Sequence, residues 1–342
     1  MSLDVSDVGL KNGNYLGLDI EAKDADIVVF PIPWDVTTSY RPGTVDGPDS
    51  VLNASTQLDL YSPYLDDVGS LKIGTIPVPE QWRERSASLR KQTAQYISAL
   101  EQGEDRGTAE MTKIREAANR GGVELQEWSR KEVAKLLDQG QAVLTLGGDH
   151  SVPLGPIEAH AAKFPGLSVL HFDAHADLRD AYEGFEQSHA SIMFNVLKLK
   201  GVDRLVQVGI RDVSEFEINL IKNDDRIHTF FDWDLKNAEY EGESWKSICD
   251  RIVAKLGPQV YISFDIDGLD PKLCPNTGTP VPGGLEMAQA TALIQAVVRS
   301  GRKVVGGDLV EVAPAPEGDE WDGNVGARML FQIMIAVAQG RR

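Results

Sequence analysis

The stretch Leu167-Ser-Val-Leu-His-Phe172, followed at once by Asp173-Ala-His175-Ala-Asp177, decides the fold class. Its first half is apolar on consecutive rather than alternate positions, the pattern of a strand covered on both faces. Its second half places three metal-ligating side chains directly after that strand. Outward from this point the pattern repeats. Asp26-Ile-Val-Val-Phe30, Ala142-Val-Leu-Thr-Leu146, Arg204-Leu-Val-Gln-Val208, Gln259-Val-Tyr-Ile-Ser-Phe264 and Lys303-Val-Val-Gly-Gly-Asp-Leu-Val310 are further β-rich runs. Helical stretches separate them. Ser129 with Glu132 reads as a capping box that opens a helix stopped by Gly140. Leu285 to Arg299 reads as another helix, ended by Gly301. This alternation predicts an α/β fold: a three-layer α/β/α domain around a mostly parallel sheet.

The chain has 342 residues, 42% hydrophobic and 25% charged, enough for a large core. We expect a single domain over 1–342. Within it, about 79–130 is charged and helical in composition, with Gly107, Gly121 and Gly122 as interruptions. It reads as a surface helical insertion, with a subunit contact or a lid as the sharper alternative. Acidic residues number 52 against 34 basic ones, a net charge of −18. A nucleic-acid backbone would be repelled, and a small cation weakly favoured. The acidic start Met1–Asp7 lacks the basic and apolar regions of a signal peptide. No run has the roughly 18 apolar residues of a membrane span. With only two cysteines, Cys249 and Cys274, the expected location is the cytoplasm.

Three segments carry the chemistry: Gly147-Gly-Asp-His150-Ser151, Asp173-Ala-His175-Ala-Asp177, and Ser263-Phe-Asp265-Ile-Asp267-Gly-Leu-Asp270-Pro271. Each follows or ends a predicted strand, and open parallel sheets form their sites beyond the carboxyl ends of strands. The i, i+2, i+4 spacing of Asp173, His175 and Asp177 points all three one way in extended chain. Asp265 and Asp267 repeat it. Burying such groups is costly unless they are paired or bind metal. His150, Asp173, His175, Asp177, Asp265 and Asp267 together offer two imidazoles and four carboxylates. That set suits a pair of hard or borderline divalent ions better than a thiolate zinc site. Two such ions about 3.5–4 Å apart activate a shared water.

These segments, with Thr277-Gly-Thr-Pro-Val-Pro-Gly-Gly-Leu285, resemble the signatures of the ureohydrolases, the superfamily of arginase and agmatinase. The resemblance runs from about Ile27 to the C-terminus, apart from the helical insertion. It implies hydrolysis of a guanidino group to urea and an amine at a binuclear manganese centre, or a nickel one in some members. It also implies a homotrimer or homohexamer. His150, Asp173, His175, Asp177, Asp265 and Asp267 correspond to the metal ligands. His189, in Ser188-His-Ala-Ser191, corresponds to the proton-shuttle histidine. Glu311, in Asp308-Leu-Val-Glu-Val312, corresponds to the carboxylate that grips the guanidinium, for which two parallel N–H bonds suit a carboxylate. In the implied mechanism the activated water attacks the guanidinium carbon, Asp177 holds its proton, and the leaving amine is protonated through His189.

The tail of the substrate is less defined. The loop Leu178-Arg-Asp-Ala-Tyr-Glu-Gly-Phe185 lacks the Asn and Ser positions with which arginases hold an amino-acid head group, which disfavours arginine. Arg41–Pro48 and Thr277–Gly284 are closer to agmatinases. Pro33-Trp34-Asp-Val-Thr37-Thr38-Ser-Tyr40 places an indole and two hydroxyls at the expected rim, with Trp34, Phe185 or Trp321 as caps over a small pocket. That combination is similar to a branch that includes hydrolases of free guanidine, some of them nickel-dependent. Arg179 meeting a substrate carboxylate would instead fit guanidinobutyrate or formimidoylglutamate. His171 reads as a partner of Asp173 or as a strand filler, and Asp308 as structural. A two-metal phosphoesterase would want several basic residues among the motifs, and Arg179 is the only Lys or Arg between Phe172 and Lys198. A metal-binding protein without catalysis would not need His189 and Glu311.

Overall fold

The apolar runs pair side by side because each can bury both faces only between two helical layers. The protein's computed structural model describes residues 9–316 and 318–342; the acidic segment 1–7, which carries the leader reading, lies outside them. In chain order the elements are β1 (Ile27–Ile32), α1 (Gly47–Ser55), β2 (Ile73–Thr75), α2 (Glu80–Glu101), α3 (Ala109–Asp138), β3 (Ala142–Gly147) and α4 (Leu154–Lys163). They continue with β4 (Leu167–Phe172), α5 (Ile192–Val196), β5 (Val202–Ile210), α6 (Glu215–Asn223), β6 (Ile227–Phe231), α7 (Asp232–Tyr240) and α8 (Trp245–Val253). The last are β7 (Gln259–Asp265), α9 (Met287–Arg299), β8 (Lys303–Val310) and α10 (Trp321–Arg341).

The strands form one eight-stranded sheet in the order β2-β1-β3-β8-β7-β4-β5-β6. Every pairing between neighbours is parallel. Alternate strand residues sort to opposite faces. Leu144, Leu170 and Ile262 pack with Val51 of α1, Ile248 of α8, Ile294 of α9 and Ile335 of α10. Val143 joins Leu89 and Val133 of α2 and α3 on the other face, where Val169 meets Ile157 of α4 and Met193 of α5. The fold is therefore the expected three-layer α/β/α sandwich. No helix among the described residues is long and apolar enough to cross a membrane.

The segment 79–130 departs from its expected form. α3 runs unbroken through Gly121, Gly122 and Ser129. Its N-cap is Thr108, whose hydroxyl accepts from the Met111 amide, and not Ser129. Ser129 is buried inside the helix and its Oγ donates to the Gln126 carbonyl at 3.2 Å. The glycines are contact points rather than breaks: a Cβ on Gly121 would stand 2.5 Å from Leu89 Cδ1 and 3.2 Å from Trp34 Cη2. So α2 and α3 are part of the second helical layer and close a core of their own.

Trp34 lies in that core. It is 1% exposed and sits edge-on to Trp82 with ring centroids 6.0 Å apart. The expectation that it lines the rim is thereby corrected, because the loop after β1 turns the indole down onto α2 and α3. Phe185 is likewise buried, against Tyr96. Trp321 is 46% exposed and its indole N–H donates to the Lys272 carbonyl. Trp34→Ala is expected to cost about 3–5 kcal/mol of stability, as loss of a large buried aromatic does. Urea denaturation measures it. Unchanged stability with a raised KM would return the indole to the rim.

Candidate functional site

The central strands deliver their polar residues to one edge. His150 follows β3, Asp173 follows β4, Asp265 ends β7 and Glu311 follows β8. These four strands are neighbours in the sheet, so segments far apart in sequence converge at their carboxyl ends.

The structure brings together all six residues read as metal ligands, in two groups that share Asp173. In the first, His150 Nδ1 lies 3.0 Å from Asp173 Oδ2, 3.1 Å from Asp177 Oδ2 and 3.2 Å from Asp265 Oδ2. In the second, His175 Nδ1 lies 3.1 Å from Asp267 Oδ2 and 3.3 Å from Asp173 Oδ1. Asp173, His175 and Asp177 do not share a strand face as their spacing predicts. β4 ends at Phe172, and Asp177 adopts a left-handed backbone (φ 54°) that turns its carboxylate back to His150. Asp265 Oδ1 accepts from the Asp267 amide at 2.8 Å, which folds the second carboxylate into a 3₁₀ turn.

The hydrogen bonds behind the site fix its protons. Asp308 Oδ1 accepts from Ser263 Oγ at 3.0 Å, and Ser263 Oγ lies 3.0 Å from His150 Nε2. The serine proton is used on Asp308, so His150 Nε2 must donate and Nδ1 carries the lone pair. That lone pair faces three carboxylate oxygens, an arrangement favourable only with a cation among them. The charges agree. Burial works against a charge on His150, yet hydrogen bonds to Asp173, Asp177 and Asp265 hold its pKa well above the imidazole range. Burial, then the charge of Asp173, pushes Asp177 up to about 7. Burial, then Asp267 and Asp173, raises Asp265 well above a normal carboxylate. Without a metal, protons are drawn in to occupy the cation positions. The donor set of carboxylate oxygens and imidazole nitrogens therefore fits divalent ions. His171 also lies in the first group, its Nε2 2.8 Å from Asp173 Oδ2.

A cavity of about 130 Å³ opens over these groups. Glu311 and His189 line it. Glu311 is 4% exposed and has a left-handed backbone (φ 61°), pinned by its amide bond to Gly148 O at 2.8 Å and by Thr277 Oγ1 donating to its carbonyl at 2.8 Å. Its Oε1 accepts from the His150 amide at 2.8 Å. A Cβ at Gly278 would press on Oε2 at 3.2 Å, so glycine keeps that oxygen clear. Burial, then the charge of Asp149, raises the Glu311 pKa well above the carboxylate range, a cost that a bound cation would relieve.

His189 stands with Thr37 Oγ1 3.5 Å from Nδ1 and Ser39 Oγ 3.4 Å from Nε2. Burial, then the positive charges of His175 and His150, holds its pKa low, at about 3, so the imidazole is neutral. Thr37 thus touches His189 from behind the cavity, while Thr38 is buried with its hydroxyl unpartnered. Neither threonine lines the cavity, nor does Trp34. The lining instead includes Ser39, Tyr182, Asp212, Glu217 and Thr279, which were not read as site residues, alongside Arg179. Asp212 was open to the same strand-end reasoning, since it lies two residues beyond the end of β5.

Comparisons with known proteins agree with this geometry. The family model described as the arginase family matches residues 25–336. The chain is 34% identical to an N(1)-aminopropylagmatine ureohydrolase of Thermus thermophilus over 303 residues, 86% of this chain and 85% of that protein. It is 29% identical to the agmatinase of Bacillus subtilis, covering 92% of this chain and 93% of that one. Among solved structures, a hypothetical agmatinase from Burkholderia thailandensis superposes with a TM-score of 0.71 at 26% identity, over 99% of this chain and 97% of that one. The agmatine ureohydrolase of Thermoplasma volcanium superposes with a TM-score of 0.72 at 24% identity, over 96% of each chain, a likeness of fold. With its ligand-bearing strand ends converged and its sequence matched from residue 25 to 336, this chain belongs to the arginase family.

Proposed function

We propose that this protein hydrolyses a small cationic guanidino compound, releasing urea and an amine, in the manner of an agmatinase. The observation that carries the reading is the convergence of His150, Asp173, His175, Asp177, Asp265 and Asp267 on two groups joined through Asp173, with the Glu311 carboxylate beside them. When bound there, two divalent ions supply a water of lowered pKa and neutralise the crowded carboxylates. Mn²⁺ is the first choice and Ni²⁺ the alternative, since both accept oxygen and imidazole donors.

The chain's own residues do the rest. Glu311, with Oε2 clear, accepts N–H bonds from the guanidinium and presents its carbon to the ligand groups. Asp177, whose carboxylate lies beside His150 at the cavity, takes the proton of the attacking water. The leaving amine, a far stronger base than either side chain, draws that proton across by way of His189, whose ring Thr37 and Ser39 orient at the cavity wall. Water adds one oxygen and two hydrogens, giving urea and the free amine. Asp212 and Glu217 add negative charge to a cavity whose lining has one Arg, which supports a cationic tail. A cytoplasmic location fits two free, buried cysteines. A homotrimer or homohexamer, as the resemblance implies, is open to light scattering.

A urea-release assay over agmatine, aminopropylagmatine, guanidinobutyrate, guanidinopropionate, arginine and free guanidine, with Mn²⁺ or Ni²⁺, tests the proposal. The largest kcat/KM is expected on a guanidine with a cationic tail. Turnover of free guanidine alone would select the alternative reading. No urea from any of them with bound metal confirmed would overturn both.

A further inference from the structure

One buried chain of polar side chains is not used by this mechanism. In the sheet register, His171 of β4 is level with Gln207 of β5, and Gln207 with Thr229 of β6. Thr229 Oγ1 donates to Gln207 Oε1 at 2.9 Å. Gln207 Nε2 donates to the Ala176 carbonyl at 2.7 Å and lies 3.0 Å from His171 Nδ1. His171 Nε2 lies 2.8 Å from Asp173 Oδ2. His171, Gln207 and Asp173 are each 0% exposed.

The directions follow from what each group can do. A carbonyl only accepts, so the Gln207 nitrogen must face Ala176, and Thr229 secures the oxygen. The second hydrogen of that nitrogen then points at His171 Nδ1. His171 Nδ1 therefore accepts and the ring proton sits on Nε2, aimed at Asp173. Burying an amide and an imidazole in the middle of a sheet is costly, and the outlet of both is one carboxylate oxygen. That carboxylate is the member common to the two ligand groups. Its Oδ1 accepts from the His175 amide at 2.6 Å, and its Oδ2 stands beside His150. Rotation of Asp173 would take a donor from both groups at once.

We propose that Gln207 and His171 are positioning residues for Asp173. Gln207 selects the Nε2–H form of His171, and that N–H holds Oδ2 at the His150 group. The proposal rests on the reading of the two groups as ion sites. The test uses the full chain as wild type, Gln207→Met and His171→Phe, with two readouts. Equilibrium Mn²⁺ binding should show two ions in the wild type, both of them weakened about 10- to 100-fold in either variant. ¹⁵N-histidine NMR of the metal-free protein should show an Nε2–H form for the His171 signal, assigned by its loss in His171→Phe, and a mixture in Gln207→Met. Since the two substitutions differ in shape, a misfolded variant leaves the other to decide. Wild-type Mn²⁺ affinity in a folded variant overturns the proposal, as does an Nδ1–H form in the wild type. A wild type that binds no Mn²⁺ defeats the ion-site reading instead, and the NMR still decides whether Gln207 sets the ring.

Discussion

Asp265→Asn is expected to abolish urea release and to lower the bound metal. Asp265 Oδ2 lies 3.2 Å from His150 Nδ1, so it is one of the oxygens on which the first group depends. The amide keeps the shape of the side chain but surrenders the charge and one acceptor, and neither position can then be balanced as before. Stability should move the other way. Asp265 is 3% exposed and stands among like charges, from which burial, Asp267 and Asp173 drive its pKa upward. Removing one charge from a crowded, desolvated cluster relieves the metal-free protein. The metal-free variant should therefore unfold at a higher temperature than the metal-free wild type. Metal analysis, the urea assay and thermal unfolding check the three parts. Wild-type turnover in Asp265→Asn would defeat the assignment of the site.

Glu311→Gln should separate substrate recognition from metal binding. Its Oε1 accepts from the His150 backbone amide, and its side chain touches none of the six ligand side chains in hydrogen bonds. Metal content should therefore stay at the wild-type level. A guanidinium would lose two charge-assisted hydrogen bonds, about 3–4 kcal/mol in all, which is roughly 100- to 1,000-fold in kcat/KM. Glutamine presents one oxygen and one NH₂, and the NH₂ meets another donor on the substrate. A kcat/KM within about threefold of wild type would remove Glu311 from the substrate and place the guanidinium elsewhere in the cavity.

Strand periodicity was readable wherever a strand lies inside the sheet. β3, β8, β7, β4 and β5 are apolar because helices cover both of their faces. β1, covered on both faces near the sheet edge, was readable too. The edge strands β2 and β6 escaped. β2 is three residues long, and β6 keeps four of its five residues only partly buried, so neither has an uninterrupted apolar run. The helix at 109–138 was misread at Ser129 because a hydroxyl followed by a glutamate three residues on is a local signal. The contact of Gly121 with Leu89 and Trp34, which lets the helix continue as one, is not local.

The sequence by itself determined the parallel α/β layering and singled out the segments whose carboxylates and imidazoles cluster at the strand ends. Both rest on residues near in the chain: apolar runs need two covered faces, and carboxylates placed at the ends of such runs need a cation or a partner. Tertiary structure alone decided that Trp34 is core, that Asp177 and Glu311 reach the cavity through left-handed backbone, and that Asp173 joins the two groups with His171 and Gln207 behind it. These depend on the register between strands far apart in sequence. Packing across the sheet sets that register, and no spacing along the chain records it.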